Sequence, residues 1–126
     1  MNLILFVHQD ASQRGEALQK QMTAYFGENT ILMVDTFNAL KHILKQPGGR
    51  AQEIYVLLAE SPGRLQELFR LMDLLDGRRI VLVLPDDAET TVGMAHRFYP
   101  RFFTYITTVY DDLCAVLYKM INPKNP

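Results

Sequence analysis

The stretch ILFVHQDAS, residues 4 to 12, begins as an unbroken apolar run and then changes abruptly to polar residues that favour a helix start. A short run that is apolar at every position is typical of a strand buried on both faces, as in a parallel sheet covered by helices. Sheets of this kind bind ligands just beyond the carboxyl ends of their strands. The stretch therefore predicts an α/β fold, and His8, Gln9 and Asp10 are the first candidates for a function.

Four further apolar runs of similar length follow, and segments with helical spacing lie between them. The predicted strands are 3–7, 30–34, 54–58, 80–84 and 102–106. Apolar residues at helical spacing predict four helices, and these residues are Leu18, Met22 and Tyr25; Phe37, Leu40 and Leu44; Leu65, Leu68, Phe69 and Met72; and Leu113, Val116, Leu117 and Met120. A further helix of lower propensity is predicted over 88–99. Strands that alternate with single helices need right-handed crossovers. We expect a three-layer, doubly wound (βα)5 sandwich whose parallel five-stranded sheet has the flavodoxin-like order 2-1-3-4-5.

Several helix starts carry capping signals in the sequence. Capping boxes are predicted for Asp10 with Gln13, Asp86 with Glu89 and Thr108 with Asp111, and an N-cap followed by a first-turn proline for Ser61 and Pro62. The segment 46–50 predicts a flexible loop, and 122–126 predicts a frayed tail after one domain over 1–121.

Composition and charge limit the classes of partner, location and cofactor that are expected. The 126 residues are 48% hydrophobic and 21% charged, as in ordinary globular domains, and the formal net charge of -1 gives no reason to expect a nucleic-acid or membrane partner. The start of the chain lacks the features of a signal peptide, and the single cysteine, Cys114, has no internal partner, so a cytoplasmic protein is expected. The loop after the first strand has no glycine, which argues against a dinucleotide or P-loop phosphate site, and no cofactor is expected.

Three stretches resemble the receiver domain of two-component response regulators. They are ILFVHQDAS, RRIVLVLPDDAE and YITTVYDDLCAVL, and the resemblance extends along essentially the whole chain. It implies a module in which acidic residues after the first strand hold Mg²⁺ and an aspartate after the third strand accepts a phosphoryl group. It also implies a hydroxyl after the fourth strand and a lysine after the fifth.

This chain departs from the family at each of these positions. The resemblance places His8 and Gln9 at the positions of the acidic pair, with Asp10 just beyond them. Ala59 stands at the position of the phosphoryl acceptor, which neighbouring registers would give to Leu58 or Glu60. Leu84 replaces the residue with the hydroxyl, Thr108 replaces the lysine, and Tyr105 stands at the position of the switch aromatic. Imidazole and amide groups are poor ligands for a hard cation. The resemblance thus implies a pseudo-receiver that is not an enzyme and signals by binding another protein in trans, with a histidine kinase among the candidate partners.

Three residues near the predicted carboxyl edge allow two interpretations each. Asp10 is interpreted as a helix cap, with a residual metal ligand as the alternative, and Glu60 as a solvated loop residue, with a permanent mimic of phosphoaspartate as the alternative. His8 is interpreted as a hydrogen-bonded structural residue, with a pH-sensitive group as the alternative. A second hypothesis for the whole chain is a small divergent α/β enzyme or nucleotide- or metal-binding protein that uses Asp10, Glu60 and Asp86.

The stretch HRFYPRFFTY, residues 96–105, combines five aromatic residues with two arginines, a composition enriched at protein interfaces. The predicted interaction surface consists of Arg97, Tyr99, Arg101, Tyr105 and Tyr118, where receivers commonly dimerise or meet partners. A homodimer is one expected use of this surface. Elsewhere, Arg64, Arg70, Arg78 and Arg79 predict at most a weakly basic surface.

Overall fold

The sheet has the predicted architecture. The structure, a computed structural model, describes residues 3–46 and 53–122. Its strands are β1 (Leu3–Phe6), β2 (Ile31–Val34), β3 (Ile54–Leu58), β4 (Arg79–Leu84) and β5 (Phe102–Tyr105). Every pairing is parallel, and the strand order is β2-β1-β3-β4-β5. The predicted fold class and topology are confirmed, and each predicted strand end agrees within one residue.

The described residues also form six α-helices, of which five lie between strands and the last follows β5. They are α1 (Glu16–Phe26), α2 (Phe37–Lys45), α3 (Pro62–Phe69), α4 (Met72–Leu75), α5 (Glu89–His96) and α6 (Asp111–Ile121), and a 3₁₀ segment (Gln9–Gly15) precedes α1. The single helix predicted after β3 is split in two. At the break the Leu71 N–H donates to the carbonyl of Leu68, three residues back, so the chain tightens before α4 begins.

Successive side chains of a strand point to opposite faces of the sheet, so the core has two layers. In β1, Ile4 and Phe6 face one layer and Leu3 and Leu5 face the other, and all four are fully buried. Helices α1 and α6 cover the Leu3 side, whereas α2, α3, α4 and α5 cover the Ile4 side. Because both faces of the sheet are covered, the strands read as continuous apolar runs in the sequence.

One of the predicted helix caps is confirmed, at Ser61, and another is wrong, at Asp86. The Ser61 hydroxyl accepts the Arg64 N–H at 3.1 Å and Pro62 occupies the first turn of α3, as predicted. The Asp86 carboxylate accepts the Ala88 N–H at 3.0 Å, which makes a turn before α5 and not the predicted capping box.

The predicted cap of the last helix is wrong. Helix α6 starts after Tyr110, and no side chain of its own first turn caps it. Instead, Gln21 on α1 accepts the Tyr110 N–H through Oε1, at 2.6 Å, and donates to the Asp111 carboxylate through Nε2. Since a residue distant in sequence supplies these bonds, Thr108 has no capping role.

Two predicted segments fall outside the residues that the structure describes, namely 47–50 of the loop and 123–126 of the tail. Among the helices that are described, none combines the length and apolar character that a membrane crossing requires.

Candidate functional site

The side chain of His8, just after β1, forms a hydrogen bond with the backbone of the next turn. The His8 Nδ1 accepts the Asp10 N–H at 3.1 Å, and the imidazole lies near the rings of Phe6 and Phe37. The hydrogen bond predicted for His8 is therefore confirmed.

The assignment of Asp10 as a helix cap is wrong. His8 is the N-cap of the 3₁₀ segment, and α1 begins six residues after Asp10 with Gly15 at its N-cap position. Asp10 lies inside the 3₁₀ segment with 73% of its side chain exposed, and its carboxylate is 3.9 Å from the guanidinium of Arg64. The side chain of His8 has taken the capping role that the sequence pattern suggests for Asp10.

Glu60, the residue after Ala59, forms an ion pair with Arg64. Arg64 Nε lies 3.0 Å from both carboxylate oxygens of Glu60, and Arg64 Nη2 lies 2.9 Å from Oε2. The two side chains are only 17% and 12% exposed, and Arg64 also contacts Glu67 at 3.1 Å. The interpretation of Glu60 as a solvated loop residue is thus wrong, as is that of Arg64 as part of a basic surface.

The ion pair determines the protonation of both partners. Burial alone would raise the pKa of Glu60, but hydrogen bonds from Arg64 and from the Glu60 backbone, together with the positive charge of Arg64, lower it below its ordinary value. The hydrogen bond to Glu60 in turn raises the pKa of Arg64. Both groups stay charged at neutral pH, and each neutralises the other.

The remaining receiver-like positions are distributed between core and surface. Ala59 and Leu84 are fully buried, and the Ala59 N–H donates to the Val83 carbonyl at 2.9 Å, as a continuation of the sheet. Thr108 is exposed in the loop after β5. Within the described part of the chain, no hydrogen bond joins Thr108 to Glu60 or to Asp10. Ala59 and Leu84 thus belong to the core, whereas Thr108 belongs to an exposed loop.

The acids proposed for the second hypothesis are engaged separately. Glu60 is paired with Arg64, and Asp86 accepts a hydrogen bond from the Ala88 N–H. Asp10 lies near Arg64 and His8. In residues 3–46 and 53–122, no three side chains of the histidine, cysteine, aspartate and glutamate types converge as metal ligands.

A second cluster of exposed groups surrounds the start of β5. Helix α5 ends at His96, and the chain then turns through Tyr99, whose φ of 52° lies in the left-handed region and whose N–H donates to the His96 carbonyl. Tyr99 is 83% exposed. A bulky residue in this conformation costs about 1–2 kcal/mol. Glycine would avoid that cost, so the tyrosine ring is retained at the expense of stability.

Tyr99 borders a groove at one end of the exposed edge of β5. The groove has a volume of about 490 Å³ and is lined by His96, Tyr99, Pro100, Arg101, Phe102 and Phe103. Tyr105 extends the aromatic surface through an edge contact with Phe103, and the Arg97 guanidinium lies 4.5 Å from the centre of the Phe69 ring. We call the exposed residues Arg97, Tyr99, Arg101 and Tyr105 the β5 surface.

The opposite end of β5 is acidic. A smaller groove of about 280 Å³ lies there, lined by Thr104, Val109, Tyr110, Asp111, Asp112 and Leu113. The exposed edge of β5 therefore has arginines near its start and aspartates near its end.

Tyr118 lies apart from the β5 surface. It is exposed on α6 and lines neither of the two grooves along β5. Of the five predicted surface residues, Tyr99 and Arg101 line one groove, whereas Arg97 stacks on Phe69 and Tyr105 contacts Phe103.

Two important residues have no clear signal in the sequence. Arg64 and Gln21 are ordinary helix residues by composition, and their roles depend on partners that only the fold brings close. Glu60 precedes the N-cap of α3, so the helical rule for residues four apart does not predict its pairing with Arg64. Gln21 and Tyr110 are too far apart for any local pattern to relate them.

Comparison of the chain with protein-family models, with curated proteins and with solved structures finds no match.

Proposed function

We propose that this chain is a receiver-like protein-interaction module of the cytoplasm, which is not phosphorylated and which binds a partner protein through the β5 surface. The observation that carries the proposal is Tyr99, an 83% exposed residue with a positive φ and with arginines two positions before and after it. Strain that persists at an exposed position is often associated with function. Tyrosine and arginine are also the residues most enriched at binding hot spots.

The carboxyl edge of the sheet supports the first half of the proposal. Ala59 stands at the position where a receiver needs an accessible carboxylate, and the carboxylate of the next residue, Glu60, is bound on both oxygens by Arg64. A carboxylate engaged in this way is a poor nucleophile and a poor ligand. The same contact weakens the enzyme hypothesis, because Glu60 is one of the acids on which that hypothesis depends.

The charge distribution along β5 favours a second copy of the chain as the partner. In a dimer with a two-fold axis across the middle of β5, the strand edges run antiparallel, and the end of one strand meets the start of the other. Arg101 of one copy would then face Asp112 of the other. Such complementarity supports orientation and specificity of association.

Sedimentation velocity of the Tyr99→Gly variant tests this proposal. The substitution removes the ring, and it relieves about 1–2 kcal/mol of backbone strain against an entropic cost of about 0.5–1 kcal/mol for glycine. We expect self-association to be lost while the melting temperature stays equal or rises. The matched control is Tyr118→Ala, which removes an exposed tyrosine outside the surface and should leave association unchanged. A wild-type chain that is monomeric at every concentration, or a Tyr99→Gly variant that associates as the wild type does, would refute the proposal.

A further inference from the structure

The sheet has a second open edge, at β2. Strand β2 is the first in the sheet order and pairs only with β1 among the described strands. The Val34 carbonyl accepts the Val7 N–H, so the polar backbone groups of Val34 point toward β1. Because these groups alternate in direction along a strand, the N–H and C=O of Met33 point toward the open edge.

This edge lacks the usual protection against pairing. Natural edge strands carry lysine, proline, bulges or inward-pointing charges that prevent addition of another strand. The sequence NTILMV, residues 29–34, contains none of these residue types, and Leu32 and Met33 are 46% and 40% exposed. The backbone groups and the apolar side chains of β2 are therefore both available to a partner.

A groove runs along β2 on the side of Met33. Its first part has a volume of about 570 Å³ and lies between α1 and β2, with Thr23 and Ala24 on one wall and Ile31 and Met33 on the other. A second part of about 470 Å³ adjoins it, because Gln19 and Met33 line both. A groove between a helix and an open strand is a geometry in which an extended peptide can add to a sheet.

The rim of the groove is acidic. Glu16, Glu28 and Asp35 are exposed around it, and Lys20 is the basic residue among those that line it. Two copies paired antiparallel through β2 would bring Glu28 of one toward Asp35 of the other, which is repulsive. The charges thus disfavour a second copy and favour a basic partner.

We propose that the groove between α1 and β2 binds an extended peptide segment with apolar residues in its middle and lysine or arginine at its ends. The peptide backbone pairs with Met33 as a sixth strand. Its inward side chains contact Ile31 and Met33, and its basic ends meet Glu28 and Asp35. This site lies at the opposite edge of the sheet from the β5 surface and is independent of the function proposed there.

The test uses the fluorescein-labelled peptide Lys-Val-Thr-Val-Thr-Val-Lys and measures its fluorescence anisotropy with the full chain. We expect saturable binding that weakens with salt, and about tenfold weaker binding when both lysines of the peptide are replaced by glutamate, since exposed ion pairs contribute about 0.2–1 kcal/mol each. The same peptide with N-methyl groups on alternate amides should not bind, because it cannot pair with the strand.

A variant pair tests the site on the protein. Met33→Pro removes the outward N–H, and proline is tolerated at an edge position whose N–H faces solvent. We expect this variant to lose the peptide while Met33→Val retains it. Binding that is equal for the lysine and glutamate peptides, or that survives N-methylation or Met33→Pro, would overturn the proposal.

Two further outcomes would also overturn it. Loss of self-association in Met33→Pro without peptide would identify the groove as a contact between copies. Loss of peptide binding in Tyr99→Gly would place the peptide at the β5 surface. Retained binding in Tyr99→Gly keeps the two proposals separate, so either can fail without the other.

Discussion

Arg64 connects the charged side chains at the carboxyl edge of the sheet. It binds Glu60 on both oxygens, contacts Glu67 at 3.1 Å, and lies 3.9 Å from Asp10 and 5.8 Å from the centre of the Phe37 ring. A guanidinium presents a planar fork of donors that matches a carboxylate, and its flat face stacks on aromatic rings. One side chain on α3 therefore joins the ends of β1 and β3 and the start of α2.

The Glu60→Gln variant should lose stability in a pH-dependent way. Glutamine keeps the shape of Glu60 but loses the charge, so we expect a loss of about 1–3 kcal/mol at neutral pH, the typical contribution of a hydrogen bond to a charged group. The pKa of Glu60 is lower in the folded than in the unfolded chain, so its contribution is complete above the ordinary value of 4.5 and is lost as the pH falls through the folded value. Urea unfolding at neutral and acidic pH measures the difference.

The control for this prediction is Glu67→Gln. Glu67 contacts the same guanidinium from a side chain that is 47% exposed, and such pairs contribute about 0.2–1 kcal/mol. If Glu60→Gln and Glu67→Gln have equal effects, or if the effect of Glu60→Gln does not shrink in acid, the buried ion pair does not stabilise the fold as described.

At the scale of elements, the strands are predictable from the sequence, but of the helix starts with predicted caps only that of α3 is correct. The three central strands, β1, β3 and β4, are buried on both faces, so a run such as 54–58 is apolar throughout and its ends stand out. A helix start depends on which group reaches its free N–H groups, and here the His8 ring and the distant Gln21 do so, in place of Asp10 and Thr108. The sequence does not predict the burial of Glu60 either, because that burial depends on the conformation of Arg64.

Gly15 shows how closely α1 approaches β1. A Cβ atom at this position would lie 2.6 Å from Cγ1 of Val7, the buried residue that follows β1. We expect Gly15→Ala to destabilise the fold by about 1–3 kcal/mol, because the added methyl group forces a shift in a packed region. Thermal unfolding followed by circular dichroism checks the prediction.

Gly93 provides the matched comparison. It lies inside α5, and a Cβ atom there meets nothing within 4 Å. Gly93→Ala should therefore stabilise the fold by about 0.5–1 kcal/mol, the usual cost of glycine in a helix interior. A Gly15→Ala variant as stable as Gly93→Ala would show that α1 can move away from β1 without cost.

At the scale of the whole molecule, the two edges of the sheet differ in charge. The β2 edge has an acidic rim along its groove, whereas the β5 edge is basic at its start and acidic at its end. The sequence predicts the aromatic and arginine cluster near β5 from composition, but the separation of Tyr118 and the acidic end of β5 emerge only when α6 is placed against the sheet. A mainly acidic rim favours a basic partner, and an edge with charges of opposite sign at its two ends favours a second copy.

The central claim, a contact between copies through β5, is tested most directly by mixing two charge-reversed variants, Arg101→Glu and Asp112→Arg. In the two-fold dimer each variant alone places like charges opposite each other, whereas a mixed dimer pairs Glu with Arg at one contact and Asp with Arg at the other. Sedimentation velocity should therefore show monomers for each variant alone and a dimer for the equimolar mixture. A mixture that stays monomeric while the wild type dimerises, or variants that each dimerise as the wild type does, would contradict the account.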